Sequence, residues 1–272
     1  MKKLFPIFIS CIFSLITYGQ QDSVLKVSLL YKFAGGVDDF TTDNLGNIYL
    51  NSANQIKKIN EHGDSIAVYN DVKRFGKIYS IDATNPLKVL VFYKDFSTIV
   101  ILDRLLNAQA TIDLRKQNIL QVSVITSSYD NNIWLFDELD SKLKKIDDNG
   151  NVLFESTDFR QTFEAVPSPS GMYDRDGQLY LYDAAKGLLV FDYYGAKKNN
   201  YQILHLTDVD VINKNTIIAR DSVHVLLYKP ATLQLFSFSV FKGLNNFKKI
   251  KFNGNKIYCL AKNGDLEIYS LL

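Results

Sequence analysis

From about residue 34 onward the chain alternates short apolar runs with polar, turn-forming clusters, and no amphipathic helix of convincing length interrupts them. Six triplets head the apolar runs: Ile48-Tyr49-Leu50, Val89-Leu90-Val91, Ile133-Trp134-Leu135, Leu179-Tyr180-Leu181, Ile217-Ile218-Ala219 and Ile257-Tyr258-Cys259. β-branched and aromatic residues in such runs fit a buried strand. The triplets start 41, 44, 46, 38 and 40 positions apart, a period near 42. A second apolar strand follows each. Three of these end alike, in Lys57-Lys58-Ile59-Asn60, Lys144-Lys145-Ile146-Asp147 and Leu189-Val190-Phe191-Asp192, and each leads into a glycine-containing turn. Asn or Asp with Gly supplies the positive φ that tight hairpins demand. Four short strands per forty-odd residues is the period of a β-propeller blade. The irregular stretches 103–117 and 155–165 read as connections between blades. A solenoid of two-strand units or a sandwich accounts less well for the period. The pattern therefore predicts an all-β, six-bladed propeller with four strands per blade, in one domain over residues 20–272.

A propeller must join its last blade to its first or leave strand edges unpaired. The sixth unit runs out after three strands, at Leu266-Glu267-Ile268-Tyr269, while Val24 to Phe33 is an apolar stretch of strand character ahead of the first full unit. The N-terminal segment is expected to supply the missing outer strand by pairing with residues 265–271. Six blades then come out with nothing left over. The innermost strands should lie just before the triplets, at 38–41, 78–82, 122–125, 172–174, 208–211 and 247–252.

Residues 1–19 depart from this pattern. Lys2 and Lys3 precede an apolar run from Leu4 to Ile16, and Thr17 and Gly19 are small residues suited to a cut before Gln20. That is the three-part form of a secretory signal peptide. The run is too short to cross roughly 30 Å of hydrocarbon as a permanent helix. Phe8-Ile9-Ser10 before Cys11 lacks the usual lipobox leucine, so a lipoprotein is not expected. The leader resembles those of Bacteroidota, which implies a periplasmic or extracellular protein.

Composition removes several classes. Lys plus Arg is 31 and Asp plus Glu 29, and loss of the leader's two lysines leaves the charges equal. A nucleic-acid track or a membrane-binding basic patch is therefore not expected. Two cysteines, Cys11 and Cys259, and three histidines argue against a disulfide scaffold or a zinc site. The paired lysines (57–58, 144–145, 197–198, 248–249) read as solvated strand or turn positions. Sixteen Tyr and eighteen Phe should mostly fill the contacts between blades; Tyr193 and Tyr194 fall in a turn and are candidates for partner binding.

The strands Gly46-Asn47-Ile48-Tyr49-Leu50, Asp176-Gly177-Gln178-Leu179-Tyr180-Leu181 and Asn255-Lys256-Ile257-Tyr258-Cys259, most with a glycine turn after the next strand, resemble NHL-type six-bladed propellers over nearly all of residues 34–272. The resemblance implies a fold and no particular activity. Asp39, Asp82, Asp174 and Asp210 fall on the expected innermost strands and are the candidates to ring the channel as oxygen ligands of a hard cation, against the more ordinary reading as turn caps. Lactonase-type propellers hold such a cation with a Glu, Asn and Asp set; no Glu lies on an innermost strand here. No nucleophile elbow or phosphate loop occurs, and Ser141-Lys142-Leu143-Lys144 matches S-x-x-K spacing only by chance. The resulting expectation is a propeller that is not an enzyme and carries no cofactor. It would bind protein partners as a scaffold subunit of a cell-envelope complex, such as the type IX secretion translocon. The alternative is a small-molecule or sugar-binding propeller, or a lactonase-like hydrolase, working through the channel.

Overall fold

In a computed structural model describing residues 23–241 and 243–272, the strands arrange as six sheets around a ring. The first segment gives β1 (Ser23–Val24) and β2 (Val27–Phe33). Blade 1 comprises β3 (Asp39–Thr42), β4 (Ile48–Ser52), β5 (Gln55–Ile59) and β6 (Ser65–Asn70); blade 2, β7 (Ser80–Asp82), β8 (Val89–Tyr93), β9 (Thr98–Leu102) and β10 (Ala108–Asp113). Blade 3 holds β11 (Val122–Ser127), β12 (Ile133–Asp137), β13 (Lys142–Ile146) and β14 (Val152–Glu155); blade 4, β15 (Gly171–Arg175), β16 (Gln178–Asp183), β17 (Gly187–Phe191) and β18 (Lys197–Tyr201). Blade 5 is β19 (Thr207–Asn213), β20 (Thr216–Arg220), β21 (Val225–Lys229) and β22 (Gln234–Ser239), and blade 6 is β23 (Phe247–Asn253), β24 (Lys256–Ala261), β25 (Leu266–Leu271) and β2. This is the expected six-bladed β-propeller. Much of the stretch 103–117 turns out to be the outer strand β10, followed by one 3-10 turn.

In blades 2, 3 and 4 the two middle strands are buried on both faces, because each sheet is covered by a neighbour on either side. In β8, Val89, Val91 and Tyr93 pack against Tyr49 and Ile56 of blade 1. The intervening Leu90 and Phe92 join Ile125, Ile133 and Leu135 of blade 3. The period of two thus sorts side chains between two seams rather than between core and solvent, which is why β8 and β9 read as unbroken apolar runs. Outer strands are more exposed: β18 is polar, with the sequence Lys197-Lys198-Asn199-Asn200-Tyr201, whereas β6 leaves Ile66 and Val68 exposed.

Closure follows the expected route. β2 runs antiparallel to β25, with Val27 opposite Leu271 and Phe33 opposite Leu266. Lys32 ties the pair together through Asp265 and Glu267, at 2.8 and 3.0 Å. One strand is left over, however. β1 pairs in parallel with β22, giving blade 5 a fifth strand, so the N-terminal segment spans the outer edges of blades 5 and 6 together.

Of the paired lysines, Lys57, Lys197, Lys198 and Lys248 are exposed as expected, but three others differ. Lys58, Lys144 and Lys145 are only 4%, 3% and 8% exposed. Their stems lie between blades while their ammonium groups reach acceptors: Lys144 sits 2.8 Å from Asp137, and Lys58 donates to the Arg104 carbonyl of blade 2 at 3.0 Å. Burial lowers the Lys58 pKa, with nearby Asp43 opposing. The proposed signal peptide and Cys11 lie outside the described residues. Among those residues no helix is long and apolar enough to cross a membrane.

Candidate functional site

The innermost strands β3, β7, β11, β15, β19 and β23 line the channel, and each of the four candidate aspartates sits on one of them. Their carboxylates are already engaged across the seams. Asp82 accepts from Thr126 Oγ1 and Ser127 N of blade 3, at 3.0 and 2.6 Å, and from Thr84 N at 2.7 Å. Asp39 pairs with Lys249 and Asp210 with Lys251, at 2.7 and 2.9 Å, both lysines coming from blade 6. Asp174 is buried and receives Ser128 Oγ, Tyr129 N and Trp134 Nε1 of blade 3. The channel does not bring the four together, and no group of three or more His, Cys, Asp or Glu among the described residues is placed to hold a metal ion.

The mouth where the innermost strands turn into the second strands opens into a chamber of about 410 Å³, whose lining includes Thr41, Thr42, Arg175, Asp210 and Lys251. A deeper cavity of about 220 Å³ continues it, sharing Thr41, Arg175, Asp210 and Lys251 and reaching Asp82. Arg175 Nη1 donates to the Asp174 carbonyl at 2.8 Å, and its guanidinium makes no ion pair among the described residues. Sequence reasoning passed over Arg175 because it is an isolated cation beside a turn; its position on an innermost strand was the available signal.

Beside that mouth, at the seam of blades 3 and 4, a set of aromatics is held in place. Tyr193, in the turn after β17, stacks on Tyr129, in the turn after β11, with centroids 4.8 Å apart and planes 8° from parallel. Trp134 lies 6.1 Å from Tyr193 and packs edge-on to Phe154. Lys145 Nζ stands 4.6, 5.2 and 5.3 Å from the Trp134, Tyr193 and Tyr129 ring centroids. Asp130 holds that ammonium at 2.8 Å. The Tyr193 hydroxyl donates to Asp174, and burial together with that carboxylate keeps the phenol protonated well above its ordinary range. Gly195 makes the approach of this turn possible: its φ is +75°, and a Cβ there would stand 2.8 Å from Ser156 Cβ. Of the two tyrosines singled out from sequence, Tyr193 is thus half-buried and works as a support. Tyr194 is 86% exposed and the unanticipated Tyr129 69%.

Cys259, the thiol on β24, is fully buried, and burial pushes its pKa far up. His62, His205 and His224 stand in separate turns.

No protein-family model and no curated protein matches the chain. Solved structures do. A streptogramin B lyase superposes with a TM-score of 0.60 at 14% identity, covering 86% of this chain and 78% of its own. A chain of the mitotic checkpoint complex gives 0.56 at 10% identity, with 87% and 77% covered. A protein of unknown function from Bacteroides caccae gives 0.54 at 9%, with 74% and 81% covered. At these identities the likeness shows the β-propeller fold. It also corrects the expectation that this chain is not an enzyme: a lyase is built on the same ring, so missing sequence motifs for hydrolysis or metal binding are no ground for excluding catalysis.

Proposed function

We propose that the protein is an NHL-like propeller of the cell envelope that docks a protein partner through the aromatic patch at the seam of blades 3 and 4. The exposed, pre-ordered Tyr129 carries this reading. Its ring is fixed by stacking on Tyr193, which Asp174 and Lys145 hold from behind. An aromatic already in its binding rotamer loses little entropy on association, and such anchors dominate interface energies. Tyr194 extends the patch, and Asp130, Asp192 and Lys198 supply a charged rim, with Lys198 paired to Asp192 at 2.9 Å. The periplasm is the compartment this reading requires, with an outer-membrane export machine of the type IX kind as the complex to examine first. One structural relative is a chain of the mitotic checkpoint complex, a multi-protein assembly, which supports the use of this ring as a docking platform.

The experiment is purification of the tagged protein from its native envelope, with co-purifying proteins identified by mass spectrometry. A partner recovered with the wild type and lost with Tyr129→Ala plus Tyr194→Ala, at unchanged melting temperature, is the expected result. A partner retained in full by that double variant would refute the docking patch.

A further inference from the structure

The six seams are unequally closed. Among the described residues, the seam between blades 5 and 6 fully buries five apolar residues, Val225, Leu244, Ile250, Ile257 and Cys259, and leaves eight more half-buried, where the seam between blades 1 and 2 buries twelve and leaves two half-buried. Arg220 occupies part of this space, donating to the Leu244, Phe247 and Lys248 carbonyls and to Asp208. Towards the channel mouth the sheets stand apart and leave a cleft of about 390 Å³, walled by Ile218, Leu227 and Phe238 on one side and Phe252 and Leu271 on the other, with Leu25 of the N-terminal segment at its edge. Ile212, Phe252 and Asn253 line both this cleft and the channel chamber. The two cavities therefore share a wall and adjoin at the mouth.

We propose that they form one binding site for a small amphipathic carboxylate, its head on Arg175 in the chamber and its apolar arm between blades 5 and 6. The walls of the cleft are sheet faces, not edges. They offer no backbone groups to a peptide, whose N–H and C=O groups would go unpaired there, whereas an alkyl or aryl arm has none to satisfy. The combined volume lies in the range of small-molecule sites. The charges select the head. Lys251 is already matched by Asp210, and Asp82 is occupied by two donors of blade 3, Thr126 and Ser127, and by Thr84 N of its own blade. Arg175 is the cation without an ion pair in the chamber, and one guanidinium with free N–H donors suits a singly charged carboxylate better than a dianionic phosphate. This site is separate from the aromatic patch, so either can fail without the other.

The test titrates the protein with butanoate, hexanoate, octanoate, decanoate and decanol by calorimetry, with Trp134 fluorescence and thermal melting confirming that each variant is folded. Affinity should rise about threefold to fourfold per methylene along the acid series, and decanol should bind about tenfold more weakly than decanoate. Arg175→Gln should bring decanoate down to the level of decanol while keeping the chain-length slope. Leu227→Phe should flatten the slope and spare butanoate, and Leu271→Phe on the opposite wall provides the same measurement should the first variant not fold. The proposal is overturned by a flat series, by equal binding of decanoate and decanol, by a slope that survives both cleft variants, or by no saturable binding of any acid.

Discussion

One five-residue turn recurs at Asp43–Asn47, Asn60–Asp64, Asp103–Asn107, Asp147–Asn151 and Asp192–Ala196, and its first side chain does the same work each time. Asp43 Oδ1 accepts the amides of Leu45 and Asn47, both at 2.9 Å, and Asp147 repeats this with Asn149 and Asn151 at 2.9 and 2.8 Å. The alternating pattern and a glycine at the fourth place made four of these turns legible in the sequence, since both features act over a few neighbouring residues; at Asp103–Asn107 Leu106 takes the positive φ of 62° instead, and that turn fell within a stretch read as a connection. Their differing importance was not legible, because it depends on what packs over them. Asp43 is 2% exposed and also receives the Tyr49 hydroxyl at 2.9 Å, with Lys58 3.9 Å away. Asp43→Ala strands several buried donors and should cost about 2–4 kcal/mol in denaturant unfolding, whereas Asp147→Ala, whose donors meet water, should cost under about 1 kcal/mol; equal costs would contradict the structure. Asp130 gives a pH signature. Burial alone would raise its pKa from 3.8, but hydrogen bonds from Lys145, Ser128 and Asn132 outweigh it and hold it at about 2. A carboxyl depressed on folding stabilises the native state fully above its unfolded value, and that contribution disappears as pH falls through about 2. Carboxyl NMR should place the Asp130 midpoint near 2, and Lys145→Met should move it up towards 3.8. A wild-type midpoint already at 3.8 would show that the Lys145 contact is absent in solution.

At the scale of strands and blades, periodicity located the six sheets because each seam imposes the same demand on every unit. The closing strand could be found by counting, since a three-stranded sixth blade needs a partner. The short β1 could not: two residues carry no period, and its parallel pairing with β22 comes from where the chain crosses between blades. The buried lysines escaped for a related reason. A Lys-Lys pair on a strand points to both faces; both faces are covered at Lys144-Lys145, and at Lys57-Lys58 only the face of Lys58 is. The N-terminal segment should matter more than its length suggests, because it engages two blades: Leu25 N donates to Ser239 O of blade 5, and Leu272 N to Lys26 O beside blade 6, both at 3.0 Å. Removing residues 23–33 opens the edges of β22 and β25 together and uncovers the cleft edge at Leu25. The loss should be a large part of a typical stability of about 5–15 kcal/mol, seen as a lower melting temperature and a broadened transition. A truncated protein melting with the full chain would mean that blades 5 and 6 do not depend on this clamp.

For the molecule as a whole, the ring places two chemically different features near one mouth: aromatic rings at the seam of blades 3 and 4, and a charged chamber in the channel. The sequence pointed to four channel aspartates as a group, but distance along the chain says nothing about which neighbour each one meets. Asp39 and Asp210 are matched to blade 6 lysines, whereas Asp174 is the prop beneath Tyr193 and Trp134. These placements let the partner complex report which site it uses. Asp39→Asn with Asp210→Asn frees Lys249 and Lys251 and alters the channel by two charges, yet touches nothing in the aromatic patch; the complex should survive it. Asp174→Asn keeps the size of the side chain but loses the charge that holds the Tyr193 hydroxyl. Complex recovery should fall about tenfold, the equivalent of one charge-assisted hydrogen bond of about 1.5 kcal/mol. Because the proposed contact is aromatic and the chain is nearly neutral, affinity should change little as salt is raised across the physiological range. Each variant is compared with wild type for recovery of the native complex and for melting temperature. Loss of the complex with the channel pair, together with retention in Asp174→Asn, would move the partner site from the blade 3–4 seam into the channel mouth.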